Sequence, residues 1–214
     1  TGLSSAFAAA SEYPLEKVKN NLSDKASLQN GAQLYMNYCS GCHSLQYTRY
    51  SQLGEYIGAV DQDGQLMEKL VQTNLNFVTS KVTDKIKTSM PAQDSAKWFG
   101  VVPPDLSLVT RSRGKDWVYT YLKTFYVDSS RPWGVNNLVF PDVGMPHVLL
   151  SLQGQQTPVF KKVSYQDGGK TLERQEVESL VLTAPGEMDA KAFDKAMTDL
   201  VNFLEYVGEP VKEK

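Results

Sequence analysis

The sequence has 214 residues, of which 41% are hydrophobic and 21% charged, and its formal net charge is −2. A chain of this length and composition can bury one full hydrophobic core, so we expect a single enlarged globular domain. The small negative charge argues against a nucleic-acid-binding protein, which would favour a basic excess. The printed sequence contains no run of about eighteen apolar residues, so no segment of it is predicted to cross a membrane.

The first residues have the composition of a processed or disordered terminus. Ala6 and Ala8 show the A-x-A spacing of a secretory signal, although an Ala/Ser-rich disordered end would look the same. We assign residues 1–12 to a signal-peptide remnant or disordered N-terminus, and residues 13–210 to the folded domain.

The folded region is predicted to begin with an extended segment and a helix. Residues 11–22 show no hydrophobic periodicity, whereas Asp24 offers an N-cap and apolar residues then recur at helical spacing as far as Cys39. Gly31 within this helix indicates close approach by another helix, or a tolerated glycine.

The helix leads into Cys39-Ser40-Gly41-Cys42-His43, a C-x-x-C-H motif typical of covalent c-type haem attachment. Two cysteines at this spacing can place their sulfurs beside the two vinyl groups of one porphyrin, forming two thioethers. His43 would then supply a neutral imidazole nitrogen to the iron. The motif therefore predicts one covalent haem c bound by Cys39, Cys42 and His43.

Two other readings of the motif are a redox dithiol and half of a zinc site. A thioredoxin-like dithiol would want a surrounding βαβ pattern, and a zinc site needs two further ligands, which the other histidine, His147, cannot supply with cysteine alone. Both cysteines are used by the motif, so no structural disulfide is expected within the chain.

The middle of the chain predicts a helical region and a rigid turn. Residues 55–80 look helical, with apolar residues at core spacing. Pro103 and Pro104 fix an extended turn, and Asp105 or Ser107 can cap the element that follows.

The C-terminal half predicts mixed elements of which the last is a helix. They are a helix over 115–125, a long loop over 126–144, a β-hairpin of residues 159–165 and 173–182, and a final helix between Asp189 and Gly208. The predicted fold class is mainly α, with long loops and a small peripheral β-hairpin.

The sixth ligand of the iron decides what such a site can do. A methionine thioether raises the reduction potential and leaves no substrate position, which favours electron transfer, whereas an open face favours gas binding or catalysis. Spacing favours Met90, while Gly144 favours Met145, because a glycine lets the backbone approach a flat ring. His147 is a third candidate, and the residues alone leave the choice open.

Three segments, in this order, closely resemble the cytochrome c1 family of bacterial cytochrome bc1 complexes. They are NGAQLYMNYCSGCHSLQYTRY, WFGVVPPDLSLVTRSRG and FPDVGMPHVL. The resemblance extends from about residue 13 to residue 214, and implies an enlarged class I cytochrome c-type haem domain over 13–210. In that family the methionine corresponding to Met145 is the sixth ligand, so the metal ligands it implies are His43 and Met145.

The resemblance also implies further haem contacts. They are prolines packed on the ring (Pro103 and Pro104), an arginine that neutralises a propionate (Arg113), an aromatic residue at a propionate or the ring edge (Trp117), and a wall on the methionine side (Phe140 and Val143). For Arg113, a solvent-facing role is the alternative.

The function implied by the resemblance is electron transfer within quinol–cytochrome c oxidoreductase, respiratory complex III. The chain would accept one electron from the Rieske iron-sulfur protein, pass it to a soluble c-type cytochrome, and bind the cytochrome b and Rieske subunits. The family carries a C-terminal transmembrane helix, so we expect residues 211–214 to be its truncated flank, at the periplasmic face of the bacterial inner membrane.

Three alternatives to this function remain. They are a free periplasmic c-type cytochrome, the haem subunit of a dehydrogenase, and a haem enzyme such as a peroxidase. Dihaem peroxidases would require a second C-x-x-C-H motif, which the sequence lacks.

Overall fold

The computed structural model describes residues 13–209; the assignments for residues 1–12 and 211–214 lie outside this range. The helices are α1 (Lys25–Leu34), α2 (Tyr50–Tyr56), α3 (Glu68–Asn74), α4 (Ala92–Phe99), α5 (Val109–Arg113), α6 (Lys115–Lys123), α7 (Leu150–Gln153) and α8 (Ala190–Gly208). The strands are β1 (Leu45–Arg49), β2 (Lys85–Ile86), β3 (Phe125–Val127), β4 (Val135–Asn137), β5 (Gly154–Asp167) and β6 (Lys170–Pro185). In this part of the chain the strands pair as β1–β2, β3–β4 and β5–β6, each pair antiparallel.

The core is organised around α1 and α8, which cross at Gly31. The Asp24 carboxylate accepts the backbone N–H of Ser27 and caps α1, and the Asp189 carboxylate caps α8 in the same way. A Cβ at Gly31 would overlap the carbonyl of Asp199, so only glycine allows the two backbones to come this close. The predicted helix–helix approach at Gly31 is therefore confirmed.

Helix α1 widens into one π-helical turn, Tyr35–Cys39, just before the C-x-x-C-H motif. The Ser40 N–H donates to the Tyr35 carbonyl (2.9 Å), and the His43 N–H donates to the Cys39 carbonyl (2.8 Å). The buried Tyr35 hydroxyl donates to the His43 carbonyl (2.7 Å). Since short π-helical turns often occur at functional sites, this geometry agrees with a helix that ends in the motif.

The prediction of a helical region over 55–80 is wrong for most of its length. Helix α2 ends at Tyr56, and only Glu68–Asn74 forms a helix within that range. Gly58 and Gly64 have φ of 80° and 76°, a left-handed conformation that stops a right-handed helix. The apolar residues between them instead form an isolated bridge between Val60 and Leu66.

Two further segments differ from the sequence-based prediction. The predicted loop 126–144 contains the strand pair β3–β4, in which Val127 faces Val135. Helix α4 was not predicted, because its exposed positions alternate with few buried ones. Helix α6, by contrast, lies within the helix predicted over 115–125.

The β-hairpin is present and longer than predicted, since β5 and β6 extend over Gly154–Asp167 and Lys170–Pro185. Gly168 and Gly169 both have positive φ and form the turn, as a two-residue hairpin loop requires. At the base, the Gln156 side chain donates to the carbonyls of Lys123 and Phe125. These bonds attach the hairpin to the helical domain, while its outer part is largely exposed.

Candidate functional site

His43 is held against the segment that begins at Pro104. Its Nδ1 lies 2.7 Å from the Pro104 carbonyl oxygen, and because a carbonyl can only accept, Nδ1 carries the proton. The other ring nitrogen, Nε2, is therefore the one with a free lone pair. Burial lowers the pKa of His43, which favours the neutral imidazole that a metal ligand needs.

The proline segment is fixed to the motif by further hydrogen bonds. The Leu106 N–H donates to the Ser44 carbonyl (2.9 Å), and the Asp105 carboxylate accepts the N–H of Gln46 (2.9 Å). The Ser107 hydroxyl accepts the N–H of Tyr47. The prediction that Asp105 or Ser107 caps the following helix is therefore wrong, because both side chains satisfy backbone donors of the segment next to the motif.

The two cysteines do not have the environment of a redox dithiol. Cys39 is buried and burial raises the pKa of its thiol to about 12, and burial also raises the pKa of Cys42. A thioredoxin-like site needs a lowered thiol pKa, so the dithiol alternative is not supported. Within residues 13–209, no group of three or more His, Cys, Asp or Glu side chains is placed to hold a metal ion, which argues against zinc.

A cavity of about 220 Å³ adjoins Cys42. Pro103 lines it, as expected for a residue packed beside the cofactor, and Met90 lines it too. Met90, one candidate for the sixth ligand, therefore lies close to the motif.

Arg113, Trp117 and Phe140 come together as a second group of candidate residues. The Arg113 guanidinium lies 5.1 Å from the Trp117 ring centroid and 5.8 Å from that of Phe140. The two rings meet edge to face with 6.3 Å between centroids. Within the described chain Arg113 forms no ion pair, so no described carboxylate neutralises its charge.

Met145 lies in the loop that packs against the end of α4. A Cβ at the preceding Gly144 would lie 2.8 Å from the Phe99 carbonyl oxygen and 3.2 Å from Val101 Cγ1. This glycine therefore allows the close backbone packing that positions Met145, while Val143 beside it is 4% exposed. The segment it packs on continues directly into Pro103.

Tyr121 is a contact of Met145 that the sequence did not reveal as part of the site. Its hydroxyl donates to Met145 Sδ across 3.3 Å, and its ring stacks on Trp117 at 5.0 Å and 8°. Burial raises the pKa of Tyr121, so the hydroxyl remains a donor. The only sequence signal was its position four residues after Trp117, on the same helix face.

His147, the third candidate for the sixth ligand, is packed against the core. Its ring stacks on Phe125, with 4.9 Å between centroids and 4° between planes. Burial lowers its pKa to about 4, so the ring is neutral. Its Nε2 is buried and has no hydrogen-bond partner among the described residues.

Together the described residues provide what one haem c requires. They offer two thiols at the C-x-x-C spacing, an imidazole with a free Nε2, and thioether sulfurs at Met145 and Met90. No helix within residues 13–209 has both the length and the apolar character needed to cross a bilayer.

Comparison with known proteins identifies relatives along almost the whole chain. The model of the cytochrome C1 family matches residues 16–214. Cytochrome c1 of Allochromatium vinosum is 48% identical over 196 residues, which are 92% of this chain and 75% of that protein. The ammonia monooxygenase gamma subunit of Nitrosomonas europaea is 38% identical over 205 residues, 96% of this chain and 78% of that protein. Mitochondrial cytochrome c1 of Schizosaccharomyces pombe is 27% identical, over 93% of this chain and 61% of that protein.

The family match and the 48% identical relative extend over the segments that contain the motif, the proline turn and Met145. The chain therefore belongs to the cytochrome c1 family, whose members carry one covalently bound haem c and are membrane-associated electron-transfer subunits of the cytochrome bc1 complex.

Proposed function

We propose that this chain accepts one electron from the Rieske iron-sulfur protein and passes it to a soluble c-type cytochrome, at the periplasmic face of the bacterial inner membrane. Cytochrome b and the Rieske protein are its proposed partners in the complex. The observation that carries the proposal is the His43–Pro104 hydrogen bond, because it leaves one imidazole nitrogen for the iron and fixes the ring.

The proposed haem attachment uses Cys39 and Cys42 as the thioether residues and His43 and Met145 as the axial ligands. Bound haem c supplies a one-electron ferric–ferrous couple. His43 is held at its side chain by Pro104 and at its carbonyl by Tyr35, so it has little freedom to move when the charge on the iron changes. Small rearrangement of the ligands is what electron transfer requires.

The remaining candidate residues form the proposed walls of the haem site. Pro103 and Pro104 lie on the histidine side, and Val143 and Phe140 on the methionine side. Arg113, whose charge no described carboxylate neutralises, is the proposed partner of a haem propionate, and Trp117 supports its guanidinium. A charged group of this kind stabilises a buried propionate through a charge-assisted hydrogen bond.

A methionine-capped iron leaves no position for a substrate, so the chain is proposed as an electron carrier and not as an enzyme by itself. The alternative is a free periplasmic c-type cytochrome or the haem subunit of a dehydrogenase. Purification from membranes separates these readings, since a bc1 subunit is expected to copurify with a b-type cytochrome, whereas a free cytochrome is not.

The first experiment is an optical spectrum of the purified protein in both oxidation states, with a pyridine haemochrome assay. We expect one c-type haem per chain and the weak far-red band of methionine-ligated ferric iron. Mixing the reduced protein with an oxidised soluble c-type cytochrome should then transfer one electron per haem. Absence of haem, or rapid carbon monoxide binding by the reduced protein, would contradict the proposal.

A further inference from the structure

The Met145–Pro146–His147 segment is held at both ends by one group of aromatic side chains. At one end, the Tyr121 hydroxyl donates to Met145 Sδ across 3.3 Å. At the other end, the His147 ring stacks on Phe125 with 4.9 Å between centroids. Tyr121 and Phe125 contact each other edge to face, with 5.2 Å between centroids and 70° between planes. The contacts therefore form a closed loop through both ends of the segment.

The Tyr121 ring has little freedom to move its hydroxyl away from the sulfur. Trp117 covers one face of the ring in a nearly parallel stack, and Phe125 meets it edge to face. A thioether sulfur is a weak hydrogen-bond acceptor that rarely holds a flexible donor. The fixed ring makes the O–H···S contact at Met145 a defined feature of the site.

We propose that Tyr121 is a positioning residue for the methionine ligand, whose hydroxyl orients the Met145 sulfur and raises the reduction potential. This inference rests on the proposed role of Met145. One lone pair of the sulfur would face the iron, while Tyr121 occupies the other. Because the hydroxyl hydrogen carries a partial positive charge, its presence beside the ligand favours the less positive, reduced iron.

The test is Tyr121→Phe in the haem-loaded protein, which removes the hydroxyl and leaves the aromatic ring. Tyr119→Phe is the matched control, because Tyr119 lies on the same helix and its hydroxyl donates to Asp194 instead. We expect Tyr121→Phe to shift the equilibrium with a reference redox couple at least threefold toward the oxidised protein. This shift corresponds to about 28 mV, taking 59 mV per tenfold change for one electron.

A second measurement is the far-red band of the oxidised protein. We expect its position or intensity to change in Tyr121→Phe and to stay unchanged in Tyr119→Phe, while equal urea midpoints of the two variants show that both are equally folded. An unchanged potential and band in Tyr121→Phe would overturn the proposal, as would an equal shift in Tyr119→Phe.

Met145→Ala separates failure of this inference from failure of the ligand assignment. If Met145→Ala leaves the far-red band intact, Met145 is not the ligand and both proposals fail. If it abolishes the band while Tyr121→Phe changes nothing, the ligand assignment stands and only the role of Tyr121 is refuted.

Discussion

Gly31 of α1 lies against the main-chain carbonyl of Asp199 on α8, at a distance that no side chain would permit. One turn later, the buried Tyr35 packs on Phe203 of α8, with 5.9 Å between ring centroids. The Tyr35 hydroxyl then donates to the His43 carbonyl. The contact between the two helices thus determines where the histidine of the motif is placed.

Gly31→Ala is expected to destabilise the fold, because the new Cβ would overlap main-chain atoms that cannot move aside. Overpacking in a core costs about 1–3 kcal/mol, against which the better helix propensity of alanine recovers about 1 kcal/mol. We therefore expect a loss of about 1–2 kcal/mol in the free energy of unfolding, measured by urea denaturation. Gln33→Ala, on the exposed face of α1, should change it by less than about 0.5 kcal/mol. Equal stability of Gly31→Ala and the wild type would show that the helices can separate without cost.

Met145→Ala should lower the reduction potential and open the iron to carbon monoxide, because a methionine ligand raises the potential and blocks the sixth position. The measurements are a redox titration and a carbon monoxide difference spectrum of the reduced protein. Met90→Ala is the matched variant, since Met90 lines the cavity beside Cys42. If Met90→Ala produces these changes and Met145→Ala does not, Met90 is the ligand.

Arg113→Leu should lower the reduction potential, because an uncompensated propionate favours the ferric, more positive iron. The expected shift is less than a tenfold change in the electron-exchange equilibrium, about 59 mV for one electron. Arg113→Lys keeps the charge and should recover part of the shift. Arg111→Leu, an exposed arginine of the same helix, should leave the potential unchanged. An unchanged potential in Arg113→Leu would remove its role at the propionate.

The sequence predicted those parts of the site that depend on local pattern. The C-x-x-C-H motif, the capped helix before it and the close approach at Gly31 follow from residue spacing and backbone chemistry. The resemblance supplied Arg113, Trp117 and Phe140, which the structure brings together.

Contacts between distant segments could not be predicted in this way. The Tyr121–Met145 hydrogen bond joins a helix to a loop 24 residues later, and hydrophobic periodicity contains no information about such pairs. The interruption of the predicted helix 55–80 was missed for a different reason, since a glycine in a helical pattern reads as a tolerated residue unless its φ is known. Gly58 and Gly64 adopt positive φ only because the chain turns there.

Asp194→Asn should weaken the fold at neutral pH and have little effect in acid. Lys123 Nζ lies 2.8 Å from the Asp194 carboxylate and 2.5 Å from that of Glu16, and Tyr119 donates to Asp194 as well. Burial raises the pKa of Asp194, but the hydrogen bonds from Lys123 and Tyr119 outweigh it and hold the pKa below its ordinary value of 3.8. The ionised carboxylate is therefore favoured by the folded state.

The sign of the pH dependence follows from this lowered pKa. The stabilisation is fully present above the unfolded pKa and is lost as the pH falls through the folded value. We expect Asp194→Asn to lose about 0.5–1 kcal/mol at pH 7, the range of partly exposed ion pairs, and to approach the wild type below about pH 3. Urea denaturation at pH 7, 5 and 3 measures the difference. Asp94→Asn, which breaks an exposed pair with Lys97 at 3.6 Å, is the control and should show almost no loss at any of these values. A loss in Asp194→Asn that is the same at pH 7 and pH 3 would mean that the side chain acts through packing and not through its charge.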